Sequence, residues 1–298
     1  MKYLTYLNER FPLQSHVPLI AAFSFSAICF SLSASGETQF IDWKNYAAAF
    51  YLVITTFFLL RISDEFKDHE DDMKYRKYLP VPRGLISLAE LRNIGIVVFV
   101  TQIITLWFFP HFGWIYAVAM LYMALMFKEF FMADWLKKHQ LAYVFSHMAI
   151  IPLVDLVASA AHWSFAEIMP PKALLWFFFV SFFNGMVLEF GRKIKTPAME
   201  EEGVVSYTKL YGVTGGTWLW LGILTITYIL ALFASAHINS PVWVYIVLTI
   251  FFVAAFISGI LFLKNPTKKS SKMIEIFSGI WTMGMYLNIG ALPFLLSN

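Results

Sequence analysis

Apolar residues fall in long continuous blocks along this chain, and polar residues are confined mainly to the short segments between the blocks. Each block is about 20 residues long, the length that an α-helix needs to cross a hydrocarbon layer about 30 Å thick. Apolar and polar residues do not alternate within the blocks, which argues against membrane-spanning strands. The pattern predicts an all-α integral membrane protein with about nine transmembrane helices around a central cavity. The predicted spans are residues 17–35, 44–66, 86–109, 111–128, 140–160, 172–191, 215–235, 241–263 and 274–296.

The composition of the chain supports the same class. Hydrophobic residues make up 59% of the 298 residues and charged residues only 14%, whereas a soluble domain carries about 25% charged residues. The connections are short, so we expect a single transmembrane domain over residues 1–298. Cys29 is the only cysteine, which excludes an intramolecular disulfide and a cysteine-based metal site. No long basic run indicates a nucleic-acid partner.

Lysine and arginine residues are distributed asymmetrically between the two ends of the predicted helices. Of the 22 in the sequence, only Lys44 and Lys172 fall on the side that holds the connections after the first, third, fifth and seventh spans. The other 20 lie on the side of the N-terminus. Because positively charged connections stay in the cytoplasm, we expect a multi-pass protein of the cell (inner) membrane with a cytoplasmic N-terminus.

An acidic segment follows the second predicted span. Asp64, Asp68 and Asp72 are spaced four residues apart, so a continuing helix would carry all three carboxylates along one stripe. Like charges at this spacing repel each other. Mg²⁺ is a suitable counter-ion, because it commonly binds one or two carboxylates together with substrate phosphates. The alternative is a solvated acidic loop at the end of a helix.

A second charged segment follows the sixth predicted span. Glu189 closes an apolar run, at a depth where an ionisable group is costly and usually functional. Arg192 and Lys193 lie one turn further on and suit pairing with Glu189 or with phosphate oxygens. An acidic run that includes Glu200 comes next. The alternative for this segment is a salt bridge at the membrane edge.

Both charged segments are expected on the same face of the membrane, since they follow the second and sixth spans. This placement predicts two halves of the bundle whose acidic helix ends converge over a central cavity. Two acidic clusters that face each other can hold two or three Mg²⁺ ions around a diphosphate. The active-site loops would then lie on the cytoplasmic side.

Four stretches of the chain resemble the UbiA superfamily of membrane prenyltransferases. Residues 64–72 (DEFKDHEDD) resemble the family's acidic NDxxDxxxD motif after the second helix, with Asp-Glu in place of Asn-Asp. Residues 79–87 (LPVPRGLIS) resemble the family stretch that follows this motif, and residues 10–12 resemble its Arg-x-x-Pro entry, shortened by one residue. Lys128, at the end of the fourth predicted span, resembles the family's lysine that contacts the diphosphate. The resemblance implies nine helices, Mg²⁺ as cofactor and a prenyl diphosphate as substrate.

The resemblance weakens at the second charged segment. The family's Asp residues are replaced there by Glu189, by the basic pair Arg192 and Lys193, and by the run that includes Glu200. A basic side chain could then take over part of the role of a metal ion, which leaves the number of metal ions open.

Three polar residues are predicted at membrane depth. Asp155 in the fifth span is costly there unless it has a partner, so it either orients an acceptor or bonds to Ser159 or a neighbouring helix. His147, eight residues earlier, is interpreted as a helix-packing residue. Asn184 in the sixth span either faces the same cavity as Glu189 or packs between helices.

Three hypotheses for the function remain open. The first is Mg²⁺-dependent transfer of a prenyl group from a prenyl diphosphate to an aromatic or lipid-like acceptor within the lipid bilayer. The second is a terpene cyclase that uses the same metal site, and the third is a cation transporter, although transport sites usually lie near the membrane midplane. The candidate catalytic residues are Asp64, Asp68, Asp72 and Glu189. The candidate metal ligands are Asp64, Asp68, Asp72, Glu189 and Glu200. The candidate substrate-binding residues are Lys128, Arg192, Lys193, Asp155, Asn184 and Arg83.

Overall fold

The computed structural model describes residues 1–296, and within them the regular secondary structure is entirely helical. Short 3₁₀ turns lie at Pro110–Phe112, Glu129–Phe131 and Pro197–Met199, and a π-helical turn lies at Leu287–Ala291. The α-helices are α1 (Lys2–Arg10), α2 (Leu13–Ala34), α3 (Trp43–Lys67), α4 (His69–Tyr75), α5 (Leu88–Phe108), α6 (Gly113–Phe127), α7 (Ala133–Lys138), α8 (Gln140–Met148), α9 (Ile150–Trp163), α10 (Leu174–Arg192), α11 (Tyr207–His237), α12 (Val242–Lys264), α13 (Lys268–Tyr286) and α14 (Leu292–Leu296).

Nine segments in the described part of the chain are long and apolar enough to cross a membrane, which confirms the predicted number. The seventh segment, Tyr207–His237, is interrupted at Gly212 (φ 72°, ψ 164°), so the predicted start of the seventh span at residue 215 lies just after this break. The ninth span begins earlier than predicted, at Lys268, because the Thr267 hydroxyl accepts a hydrogen bond from a backbone N–H of a polar first turn. A helical first turn that consists of polar residues cannot be predicted from the positions of the apolar blocks.

Helices α2, α9, α10 and α13 form the centre of the bundle. The pairs α2–α9, α9–α10 and α10–α13 pack directly against one another, and the rings of Phe30 and Phe177 meet between α2 and α10 with centroids 4.9 Å apart. The outer helices α5 and α12 expose many large apolar side chains, as helices that face lipid do. The buried core therefore lies on the inner helices.

Helix α1 packs on the end of α3 and on the connection between α4 and α5. Tyr6 is buried in a small apolar cluster formed by these segments. Arg10 Nε donates to Glu65 Oε1 at 2.6 Å, and the Arg83 guanidinium donates to both carboxylate oxygens of Glu9, at 2.8 and 2.7 Å. The N-terminal helix is thus fixed to the acidic end of α3.

Gly290 lies where the π-helical turn touches α2, and a methyl group there would lie 2.3 Å from the Ser26 carbonyl oxygen. We expect Gly290→Ala to lower the free energy of unfolding by about 1–3 kcal/mol, because overpacking forces the helices apart. Gly279→Ala, on α13, meets no atom within 4 Å and is expected to stabilise the helix by up to about 1 kcal/mol. Thermal unfolding of both variants in one detergent measures the difference, and equal midpoints would contradict the close approach.

Candidate active site

The C-terminal ends of α3 and α10 meet at one end of the bundle. Asp64, near the end of α3, lies within electrostatic range of Arg192, the last residue of α10. His147 of α8 lies within range of both Asp64 and Glu189. The structure therefore brings together the two charged segments that follow the second and sixth spans.

The predicted stripe of three carboxylates is bent at Asp68, although helical hydrogen bonds continue from the Asp68 N–H to the Asp64 carbonyl and from the Asp72 N–H to the Asp68 carbonyl. Helix α3 ends at Lys67, Asp68 has backbone angles outside the α region (φ −89°, ψ 3°), and α4 begins one residue later. Asp72 is turned into the protein, where it is 2% exposed and ion-paired with Arg76, whereas the Asp64 side chain is 45% exposed. Repulsion between carboxylates at four-residue spacing disfavours the uninterrupted helix.

Asp64 and Asp68 are two adjacent carboxylates that the protein's own bases neutralise only weakly. Asp64 makes two long ion pairs, at 3.8 Å to Arg61 and 3.9 Å to Lys67, and Asp68 makes none with a described residue. Burial, and next the Asp64 carboxylate, raise the pKa of Asp68 above its ordinary value of 3.8. Within the described residues the pair forms no ion pair shorter than 3.8 Å, so its oxygens are open to a divalent cation.

The two carboxylates provide only part of a coordination sphere. Among the described residues, no three His, Cys, Asp or Glu side chains are grouped in a way that could hold a metal ion. Mg²⁺ is compatible with such a pair, because it usually keeps several waters and takes oxygen ligands from a phosphate group.

Glu189 is neutralised by its own helix end. Arg192 Nε donates to Glu189 Oε2 at 2.8 Å, and Arg192 Nη2 donates to the same oxygen. Lys193 Nζ lies 2.7 Å from Glu189 Oε1. Both carboxylate oxygens are therefore engaged by cations, so Glu189 does not fit a metal ion in this arrangement. The salt bridge that the sequence left as the alternative is present.

Glu200, the other candidate ligand of the second segment, organises the loop before α11. It accepts hydrogen bonds from the Ser206 hydroxyl at 2.6 Å and from the Thr208 hydroxyl at 2.9 Å. Ser206 Oγ in turn accepts from the Lys209 N–H and caps α11. Glu200 thus fixes the start of α11, and it does not join Asp64 in a group of metal-binding side chains within the described residues.

The charged region also contains three side chains that the sequence pattern does not assign to a site: Lys67, Tyr143 and His147. Lys67 Nζ donates to the Tyr143 hydroxyl at 2.5 Å, and the Tyr143 and His147 rings stack with centroids 3.9 Å apart. His147 Nδ1 bonds to the Tyr143 carbonyl at 2.8 Å, while its buried Nε2 has no hydrogen-bond partner in residues 1–296. Two features of the sequence could have indicated these residues. One is the lysine between Asp64 and Asp68, and the other is the four-residue spacing that places Tyr143 and His147 on one helix face.

A cleft of about 20 Å³ lies beside these side chains, with room for about one water molecule. Helix α6 supplies one wall with two methionines and a phenylalanine, and methionine side chains repack easily. Any larger ligand requires this wall to move. The cleft is lined by Leu60, Ser63, Asp64, Lys67, Met123, Met126, Phe127 and His147.

The structure does not bring Lys128 or Arg83 into this cleft. Lys128 follows α6 and is exposed, with Nζ 5.7 Å from the centre of the Phe127 ring. The three residues after it, Glu129–Phe131, all have positive φ angles, a strained turn that reverses the chain. Arg83 is held by Glu9 and by a backbone carbonyl. Both side chains therefore lie outside the cleft in this conformation.

Comparison with known proteins identifies the architecture. The chain is similar to a solved structure of digeranylgeranylglyceryl phosphate synthase, studied in membranes, with a TM-score of 0.60. The match covers 94% of this chain and 99% of the other chain, at 20% sequence identity. This chain has the fold of that synthase. No family model and no curated protein matches the chain, so the similarity is visible in the structure and in the short motifs alone.

Asn184 and Asp155, the two candidate residues at membrane depth, are both buried between the helices. Asn184 Oδ1 accepts from the Thr282 hydroxyl at 3.3 Å, between α10 and α13. Asp155 on α9 is fully buried, and the hydroxyl of Ser181 on the neighbouring helix α10, which is also buried, lies within reach of its carboxyl group. Of the two packing alternatives for Asp155, the bond to Ser159 is not formed, because the Ser159 hydroxyl bonds within its own helix, to a carbonyl oxygen and to Trp163. The contact with Ser181 fits the other alternative, a bond to a neighbouring helix.

We expect Asp155→Leu to raise the free energy of unfolding by about 1 kcal/mol, because leucine has nearly the same shape and removes a buried carboxyl group that the Ser181 hydroxyl satisfies only in part. Ser159→Ala, one turn away, removes two hydrogen bonds and is expected to destabilise by about 1 kcal/mol. Thermal unfolding of the two variants in detergent checks the opposite signs. A destabilised Asp155→Leu would mean that the bond to Ser181 outweighs the cost of burying the carboxyl group.

Proposed function

We propose that this protein is a Mg²⁺-dependent membrane prenyltransferase, which moves a prenyl group from a prenyl diphosphate to an aromatic or lipid-like acceptor. The observation that carries the proposal is the weakly neutralised pair Asp64 and Asp68 beside the cations Lys67 and Arg192, at one end of a UbiA fold. Carboxylates for a divalent ion and cations for phosphate oxygens are what a diphosphate site requires. The similarity to digeranylgeranylglyceryl phosphate synthase supports a prenyl-derived substrate and a lipid-like acceptor.

Each side chain has a role in this proposal. Asp64 and Asp68 hold the metal ion, and Lys67 and Arg192 donate hydrogen bonds to the diphosphate oxygens. When bound, Mg²⁺ neutralises the charge that develops on the leaving diphosphate. The apolar wall of α6 closes over the prenyl chain and excludes water from the allylic cation. Asp72 supports the segment through its ion pair with Arg76.

The site is proposed to face the cytoplasm at the cell (inner) membrane. The ends of α3 and α10 belong to the side that carries 20 of the 22 lysine and arginine residues, and positively charged connections stay in the cytoplasm. A prenyl diphosphate has a charged head and an apolar tail. Its head would bind at the cytoplasmic surface, and its tail would extend between the helices.

The test measures diphosphate release and product formation by the purified full-length chain in lipid nanodiscs. Geranyl, farnesyl and geranylgeranyl diphosphates are offered with Mg²⁺, with and without a panel of aromatic and lipid-alcohol acceptors. We expect release that depends on the acceptor and on Mg²⁺, and that EDTA abolishes. The masses of the products then identify the acceptor class.

Two other results would point to the other hypotheses. Release without an acceptor, with a cyclic hydrocarbon or alcohol as product, would identify a terpene cyclase. No release from any substrate, together with cation uptake into liposomes that contain the protein, would identify a transporter.

A further inference from the structure

We infer that Arg192 and Lys193 bind the diphosphate directly, and that Glu189 is the counter-ion of these two cations instead of a metal ligand. This inference rests on the proposed function, because it concerns how the same site holds the diphosphate. It implies one position for a divalent ion, at Asp64 and Asp68, rather than ions at both charged segments.

The contacts of Glu189 are the first support. Arg192 and Lys193 lie three and four residues after Glu189, so the end of α10 itself presents both cations to the carboxylate. A metal ion on Glu189 would have to lie beside a guanidinium and an ammonium group. Like charges a few ångströms apart repel strongly where water is partly excluded. The second segment is therefore suited to binding an anion.

The donors that remain free are the second support. A guanidinium has five N–H donors, and the hydrogen bonds to Glu189 come from Nε and Nη2 of Arg192. The ammonium of Lys193 likewise has three donors, and its ion pair is with Glu189. The Arg192 side chain is 60% exposed although it is ion-paired. Both cations can therefore reach phosphate oxygens through the N–H donors that Glu189 does not engage.

The charge balance is the third support. Six charged side chains surround the site, and their formal charges cancel. They are Asp64, Asp68, Glu189, Lys67, Arg192 and Lys193. One divalent ion would leave a net positive site, which matches a negatively charged diphosphate.

The two roles of Glu189 predict opposite effects of Glu189→Gln on the binding of inorganic diphosphate. As a counter-ion, Glu189 competes with the diphosphate, so its neutralisation should lower the dissociation constant by about 3- to 10-fold. As a metal ligand, it would strengthen binding, and its neutralisation should raise that constant. Calorimetry on the full-length chain in nanodiscs measures the sign, and electron paramagnetic resonance counts bound Mn²⁺. We expect one Mn²⁺ per chain in the wild type and in Glu189→Gln.

Two further substitutions test whether Arg192 binds the diphosphate. Arg192→Gln is expected to weaken diphosphate binding roughly 10-fold, because it removes charge-assisted hydrogen bonds, and Arg192→Lys should restore part of the loss. Lys209→Gln removes an exposed cation in the next segment and should leave binding unchanged. Unfolding midpoints verify that each variant is folded. If Arg192→Gln does not fold, Glu189→Gln alone still tests the inference.

The outcomes separate this inference from the proposed function. Weaker diphosphate binding by Glu189→Gln, with loss of a second Mn²⁺, would overturn the counter-ion role even if prenyl transfer is observed. Tighter binding with one Mn²⁺ per chain supports the counter-ion role. The same binding result with no turnover of any prenyl diphosphate would remove the proposed transferase and keep an anion site.

Discussion

Replacing Asp68 with Asn is expected to lower kcat/KM for a prenyl diphosphate by about 10²–10³-fold, the size of effect seen when a group that stabilises transition-state charge is removed. Asp68 is the carboxylate of the pair that has no ion pair of its own in the described residues, so its charge is available to a metal ion. The amide keeps the shape and removes the charge. Steady-state kinetics in nanodiscs over a range of Mg²⁺ concentrations measure the loss.

Asp71→Asn is the matched control, because Asp71 is exposed three residues away and carries the same charge. We expect its kcat/KM to stay within about twofold of the wild type, since exposed charges are screened by water and salt. High Mg²⁺ should recover little of the Asp68→Asn loss. Equal activity of the two variants would show that Asp68 does not hold the metal ion.

Replacing Arg10 with Met is expected to lower the free energy of unfolding by about 3–5 kcal/mol, because it leaves a buried carboxylate without its partner. Glu65 is 1% exposed and accepts the Arg10 hydrogen bond at 2.6 Å. Arg61 remains 3.5 Å from Glu65, so we expect the lower end of this range. Unfolding in detergent, followed by tryptophan fluorescence, measures the change.

The double variant Arg10→Met with Glu65→Leu should recover most of this loss, because the apolar cluster around Tyr6 then meets apolar side chains. Arg83→Met is the comparison at an exposed pair, since Arg83 and Glu9 are 35% and 39% exposed. We expect a much smaller loss there, because an ion pair exposed to water contributes little to stability. If Arg83→Met costs as much as Arg10→Met, burial is not the reason for the loss.

The membrane architecture follows from the sequence because the thickness of a bilayer imposes a length on every apolar block. The nine spans are confirmed in the described part of the chain, and the fold is shared with the solved synthase. The ninth span starts early because Thr267 begins it with a polar turn, whereas the seventh predicted span starts just after the break at Gly212. A hydrophobic pattern reports where a helix lies in lipid and does not report its capped end.

The site was predictable only as two charged segments on one face. The break at Asp68 and the engagement of Glu189 depend on local competition between charges, which spacing alone does not reveal. The approach of Tyr143 to Lys67 depends on the packing of α8 against the end of α3, 76 residues apart in sequence. Such a pairing has no sequence signature.

The ion pair between Arg10 and Glu65 also has a consequence for synthesis in the membrane. The two residues are 55 positions apart, so at about 5–20 residues per second the Arg10 side chain waits roughly 3–11 s for its partner. During this interval it is an unpaired cation ahead of the first span, where it helps to orient that span. The same guanidinium therefore first helps to orient the nascent chain in the membrane and later forms the buried ion pair with Glu65 in the folded protein.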